Sequence, residues 1–109
     1  MESRLLFATD KVYIHKVRWQ LPDEDSVSEW RYLDPNNFTE VFLLNMVAAW
    51  VNAEFVYLVR NRKESKKINT ASLFAELKVL YGSTRFRVWD MDFKCVIDFD
   101  LEVYRLGCV

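Results

Sequence analysis

The sequence predicts an α+β protein in which a mixed or antiparallel sheet of four to five strands packs against two main helices. Between Phe93 and Val103 every odd position is apolar and most even positions are charged, which is the period-two pattern of a strand with one buried face. Between Leu73 and Tyr81 the apolar residues instead follow the spacing of one helix face. We expect the charged side of the sheet to face water or a partner.

The chain is 109 residues long, which predicts a single domain over positions 1–109. Hydrophobic residues make up 51% of it, enough for a packed core. The formal net charge of −1 gives no overall reason to expect a nucleic-acid partner. Only two glycines are present, too few for a glycine-rich phosphate loop, and no catalytic motif occurs. We therefore expect neither a cofactor nor enzymatic activity.

The first twenty residues are rich in β-forming side chains, which predicts strands over residues 4–8 and 11–21. Pro22 ends the second strand because it cannot donate to a ladder. The following residues, up to Asn37, are irregular and acidic.

Asn37 is predicted to cap a helix over residues 41–51, with Glu40 completing a capping box. That helix is apolar almost all round, which indicates burial on most faces, and Asn52 can end it in the left-handed conformation. Residues 55–59 are β-branched and aromatic without alternation, as in a central strand covered on both sides.

The stretch 41–59 has the length of a membrane span. Three polar side chains interrupt it (Asn45, Asn52 and Glu54), and polar groups are costly inside a bilayer. A buried helix followed by a buried strand explains the stretch better, so we expect no membrane association.

The C-terminal part predicts a helix over residues 73–81 closed by Gly82, then a strand over 84–89. Asp90, Met91 and Asp92 form a predicted hairpin turn into a last strand over 93–104. The element order is thus β-β-loop-α-β-α-β-β.

The two cysteines are Cys95 and Cys108. One disulfide can form between them, but we expect free thiols in a reducing compartment. The first eight residues contain only four apolar residues together, too few for a signal peptide. Both observations favour a cytoplasmic location.

Three carboxylates, Asp98, Asp100 and Glu102, share one face of the last predicted strand. They would suit Mg²⁺ in a metal-dependent nuclease, but a period-two charged stripe is also the pattern of a solvated strand face, which we favour. His15 is the only histidine, so we interpret it as structural.

A second alternative is a nucleic-acid-binding regulatory domain. The segment Arg60–Lys67 carries five cations against one glutamate, and Arg85 and Arg87 add to them. No aromatic side chain is interleaved for base stacking. We interpret the segment as a solvated connection.

The most suggestive surface is acidic and aromatic. Tryptophan and tyrosine are common interface residues, and carboxylates around them steer a cationic partner. We expect the following residues to form one partner-binding patch: Asp23, Glu24, Asp25, Glu29, Trp30, Tyr32, Asp90, Asp92, Asp98, Asp100, Glu102 and Tyr104.

These features predict a non-enzymatic protein-binding domain of the immunity or inhibitor type. Such a protein would neutralise a basic toxin or nuclease by covering its cations with carboxylates. The exposed edge of the C-terminal strand could also pair with a second copy to give a homodimer.

Overall fold

The computed structural model describes residues 1–109. Its single sheet has the strand order β1-β7-β6-β5-β3-β4, with β2 also paired to β7, and every pairing is antiparallel. The helices are α1 (Ser3–Tyr13), α2 (Glu40–Trp50) and α3 (Leu73–Leu77). The strands are β1 (Arg18–Trp19), β2 (Arg31–Tyr32), β3 (Phe55–Val59), β4 (Lys66–Asn69), β5 (Arg85–Trp89), β6 (Cys95–Asp100) and β7 (Val103–Cys108).

The α+β class and the mostly antiparallel sheet are confirmed. Seven strands and three helices replace the predicted four to five strands and two main helices. The buried hydrophobic side chains form two clusters, and both pack against this one sheet. The single-domain organisation over 1–109 stays a prediction.

The N-terminal strand prediction is wrong, because residues 3–13 form helix α1 and residues 14–16 a short 3₁₀ turn. Leu6 and Asp10 are the buried residues of α1, one turn apart. Tyr13 and Ile14 continue that stripe against the sheet. Because Asp10, a charged residue, occupies a core-facing position of α1, the apolar residues alone do not show the helical spacing.

Both faces of the sheet are covered, so the predicted open face is also wrong. On one side α2 and α3 pack onto Val56, Leu58, Val88 and Ile97. On the other, Leu6 of α1 packs against Tyr57, Trp89 and Val96. The predicted burial of β3 on both sides is confirmed, since its residues alternate between the two clusters.

Helix α2 begins after Thr39, whose side chain accepts a hydrogen bond from the Phe42 amide at 3.2 Å. The predicted cap, Asn37, instead ends a 3₁₀ turn. Only Leu43 and Val47 of α2 are buried, so the helix is covered on one side and not on most faces. Asn52 follows it with a φ of 40°, as predicted.

The last strand predicted from residues 93–104 is two strands. Leu101, with a φ of 55°, turns the chain between β6 and β7. The helix predicted over 73–81 ends at Leu77, although Leu80 and Tyr81 remain buried and Gly82 has the expected positive φ of 85°.

The free-thiol prediction is wrong as well. Cys95 and Cys108 lie opposite each other in the β6–β7 register and form a disulfide. Strand β7 has no free edge for a second copy, because β1 and β2 pair with its outer side. None of the three helices is both long enough and apolar enough to span a bilayer.

Candidate functional site

Of the predicted acidic strand face, Asp98 lies in a buried ionic cluster in the layer between the sheet and α1. Asp98 is 0% exposed and lies between Arg87 and Arg105 in the register of the neighbouring strands. Its Oδ2 accepts hydrogen bonds from Arg105 Nε at 2.9 Å and Arg85 at 3.2 Å. Asp98 is therefore no part of an exposed patch, because the arginines of both neighbouring strands enclose it.

Asp10 of α1 completes this cluster. Its two carboxylate oxygens accept hydrogen bonds from Arg87 at 2.8 and 3.0 Å, and Trp89 Nε1 donates to it at 2.7 Å. Burial alone would lower the pKa of Arg87, but its hydrogen bonds with Asp10 and the nearby charges outweigh burial and raise it. These contacts fasten α1 to the sheet.

Arg105 lies between two indole rings. Its guanidinium is 3.7 Å from the ring centre of Trp19 and 4.3 Å from that of Trp30, which is cation–π geometry. Glu29 accepts a further hydrogen bond from it at 3.0 Å. The loop joining β1 to β2 thus folds back onto β7 at Arg105.

This arrangement changes the roles expected of two predicted patch residues. Trp30 and Glu29 are half-buried and already bind Arg105. Their contact groups are engaged within the chain, so they hold the loop in place and do not present a free ring and carboxylate to a partner.

A smaller acidic groove does form, at the turn between β6 and β7. Tyr32, Asp100, Leu101 and Glu102 line a cavity of about 470 Å³. Tyr32 is 66% exposed and Leu101 is 51% exposed. Desolvation, then the charges of Asp34 and Glu102, raises the pKa of Tyr32 above its ordinary value. We call Tyr32, Asp100, Leu101 and Glu102, together with the neighbouring Asp34, the acidic groove.

The carboxylates of the acidic groove are free of ion pairs. Asp34, Asp100 and Glu102 take part in none of the salt bridges of the structure. Asp34 caps a 3₁₀ turn by accepting from the Asn36 amide at 2.8 Å. The groove therefore presents uncompensated negative charge beside an exposed phenol ring.

The remaining predicted patch residues lie elsewhere. Asp90 accepts hydrogen bonds from the backbone amides of Lys94 and Cys95, so it stabilises the β5–β6 turn. That turn, with exposed Asp92, is at the opposite end of the hairpin from Glu102. Tyr104 packs on the α2 side, edge-on to Phe42. The single patch predicted from the sequence is thus dispersed.

Three acidic residues of the predicted patch, Asp23, Glu24 and Asp25, are exposed in the loop between β1 and β2. Both strands pair with β7, so this loop runs along the same edge of the sheet as the acidic groove. These three carboxylates have no ion-pair partner.

Comparisons with protein-family models, with curated proteins and with solved structures found no match.

Two of the five cations in the basic segment Arg60–Lys67 are neutralised by ion pairs. Arg60 pairs with Glu64 at 3.0 Å and Lys66 with Glu76 at 2.7 Å. Lys67 lies 4.6 Å from the ring centre of Phe55. Only Arg62 and Lys63 of its cations lack such a partner, which is a small footprint for a nucleic-acid phosphate backbone.

The alternative nuclease site is not assembled. Asp98 points among arginines, and no group of three or more histidine, cysteine, aspartate or glutamate side chains is placed to hold a metal. His15 is exposed in the 3₁₀ turn after α1, and not on a strand as predicted.

The residues that sequence reasoning missed are Asp10 and Arg105. One signal for the cluster was present, since arginines alternate along β5 and aspartates along β6, on either side of a hairpin turn. Antiparallel pairing sets such opposite charges side by side. Nothing in the sequence indicated that α1 would supply Asp10.

Proposed function

We propose that this protein is a non-enzymatic binding domain whose acidic groove takes a lysine or arginine side chain of a basic partner protein. The observation that carries the proposal is the exposed ring of Tyr32 beside the unpaired carboxylates of Asp100 and Glu102. Aromatic rings with nearby carboxylates are effective contacts for cations.

The chemistry of the groove favours a protein partner. Leu101 offers apolar surface next to the charges, so the groove can bury the aliphatic part of a lysine or arginine while the carboxylates contact its charged end. The acidic loop residues 23–25 extend negative potential along the same edge. Such a field accelerates encounter with a cationic surface.

The specific form of the proposal is an immunity or inhibitor-type protein that neutralises a basic toxin or nuclease. In this form, carboxylates of the groove and the 23–25 loop occupy cations that the partner otherwise uses to bind phosphate. The nucleic-acid and nuclease alternatives have less support, because Arg60, Lys66 and Asp98 are engaged in ion pairs within the chain.

Two finer predictions accompany this proposal. A cytoplasmic location stays a prediction, and the disulfide weighs against it because cytosolic thiols are normally kept reduced. A homodimer would need another edge than β7. The other edges are the two-residue strands β1 and β2, which are short, and β4, where Lys66 and Lys67 disfavour pairing with a second copy.

The test uses the product of the gene adjacent to the coding sequence, co-expressed with the full chain. We expect a basic protein that co-purifies with the wild type and is lost when Tyr32→Ala is combined with Glu102→Gln. The control variant is Asp92→Asn, an exposed carboxylate at the other end of the hairpin. Binding that survives the groove double variant, or that the control loses equally, would contradict the proposal.

A further inference from the structure

A second cavity, of about 570 Å³, lies between α1 and the sheet, in the same layer as the ionic cluster. Its wall carries five cationic side chains and a single carboxylate, Asp10. The cationic residues are Lys11, Arg60, Arg85, Arg87 and Arg105. It is separate from the acidic groove, with which it shares no lining residue.

Two of these cations have structural roles. Arg87 is 11% exposed and donates its hydrogen bonds to Asp10, with Asp98 as a further ion-pair partner. Arg105 is bound by Asp98, Glu29 and two indole rings. These arginines shape the positive wall but have few N–H groups left for a ligand.

Three cations have N–H groups to offer. Arg60 pairs with Glu64 through one terminal nitrogen at 3.0 Å and takes part in no other salt bridge, which leaves its second terminal nitrogen for a ligand. Arg85 is 49% exposed and holds Asp98 through one hydrogen bond only. Lys11 is exposed and takes part in no salt bridge.

Apart from His15, the rest of the wall is apolar. Phe7, Ile14, Val17 and Trp19 line the cavity beside the cations. A volume of this size with convergent polar groups is typical of small-molecule sites. Its occupant must therefore combine an anionic end with an apolar body.

We propose that this cavity binds a small phosphate monoester, whose oxygens accept hydrogen bonds from Arg60, Arg85 and Lys11. A dianion suits three available cations better than a single carboxylate does, and the arginine fork matches phosphate oxygens. The inference is independent of the partner proposed for the acidic groove.

The test is calorimetric titration of the full chain with phenyl phosphate, with inorganic phosphate as competitor and phenol as the probe without the anion. We expect phenyl phosphate to bind, phosphate to compete and phenol not to bind. Arg60→Gln and Lys11→Gln should each weaken binding by about tenfold, the value of one charge-assisted hydrogen bond. Arg85→Gln provides a third variant if its thermal unfolding shows that the Asp98 cluster is intact.

The matched control is Arg62→Gln, a nearby exposed arginine that does not line the cavity. We expect its affinity for phenyl phosphate to equal that of the wild type. Equal weakening by the Arg62 variant would show non-specific attraction of anions and overturn the proposal. Absence of phenyl phosphate binding at millimolar concentration, or equal binding of phenol, would overturn it too.

Discussion

Arg87 of β5 donates hydrogen bonds to both carboxylate oxygens of Asp10, at 2.8 and 3.0 Å. Asp10 lies 77 positions earlier in the chain. The pair is almost fully buried, with side-chain exposures of 11% and 1%. It joins the N-terminal helix to the middle of the sheet, and it forms one wall of the cationic cavity.

Removing one partner of this pair should be costly. We expect Asp10→Asn to lower the free energy of unfolding by about 3 kcal/mol, because the buried Arg87 then keeps only its longer 3.6 Å contact with Asp98. Urea denaturation at neutral pH measures this. Asp92→Asn, at an exposed position, should change stability by less than about 0.5 kcal/mol; equal effects of the two variants would show that the ion pair is unimportant.

The raised pKa of Tyr81 predicts that the protein loses stability at alkaline pH. Burial, with nearby negative charge, raises its pKa to about 12 from 10.0, and its hydroxyl donates to the Leu33 carbonyl at 2.7 Å. The folded state therefore keeps this proton when the unfolded state has lost it, and the free energy of unfolding falls as the pH rises from about 10 to about 12. The loss is on the order of 2 kcal/mol.

Tyr81→Phe isolates this effect from other groups that ionise at high pH. At neutral pH the variant should lose about 1 kcal/mol with the hydrogen bond. Between pH 10 and pH 12 its stability should fall less steeply than that of the wild type. Parallel curves for the two proteins would show that Tyr81 does not titrate differently on folding.

The disulfide closes a short segment, with a sequence separation of 13 between Cys95 and Cys108. Because it restricts the unfolded chain, reduction should cost about 2–3 kcal/mol of unfolding free energy. Denaturation with and without reductant measures the difference. The variant with both cysteines changed to alanine should not respond to reductant, and two titratable thiols in protein purified without reductant would contradict the pairing.

The stability of a Trp30 variant distinguishes between two roles for this ring, as an interface residue or as a residue that holds the loop in place. Because its ring stacks on Arg105 while remaining half-buried, we expect Trp30→Ala to lower the free energy of unfolding by about 1 kcal/mol. Tyr32→Ala, at an exposed ring, should leave stability within about 0.5 kcal/mol. A loss of about 3 kcal/mol or more in the Trp30 variant would instead place that ring in the core.

Much of the fold was predictable where pattern and burial agree. The alternation around Phe86 and Val88 and the buried run Phe55–Val59 predicted strands that the structure contains. The prediction failed at α1, because β-forming side chains masked a helix whose core-facing stripe includes Asp10. Local propensity was overridden there by an ion pair that only the tertiary structure creates.

The residues predicted to form one patch are dispersed for a related reason. Alternating charge along β6 has the same pattern whether that face meets water or a neighbouring arginine cluster. Asp98 is buried because β5 and β7 each bring an arginine opposite it, and α1 covers them. Only the carboxylates at the end of the β6–β7 register, Asp100 and Glu102 beside Leu101, remained available for a groove.

The central claim is that the acidic groove steers and holds a cationic partner, and the association rate tests it most directly. For the partner identified by co-purification, stopped-flow association should slow by about tenfold or more at low salt when Asp100→Lys and Glu102→Lys are combined. High salt should narrow the difference from the wild type. Asp92→Lys, at the other end of the hairpin, should leave the rate nearly unchanged. If the groove variant associates as fast as the wild type at low salt, the groove is not the docking surface. The same conclusion follows if Asp92→Lys lowers the association rate as much as the groove variant does.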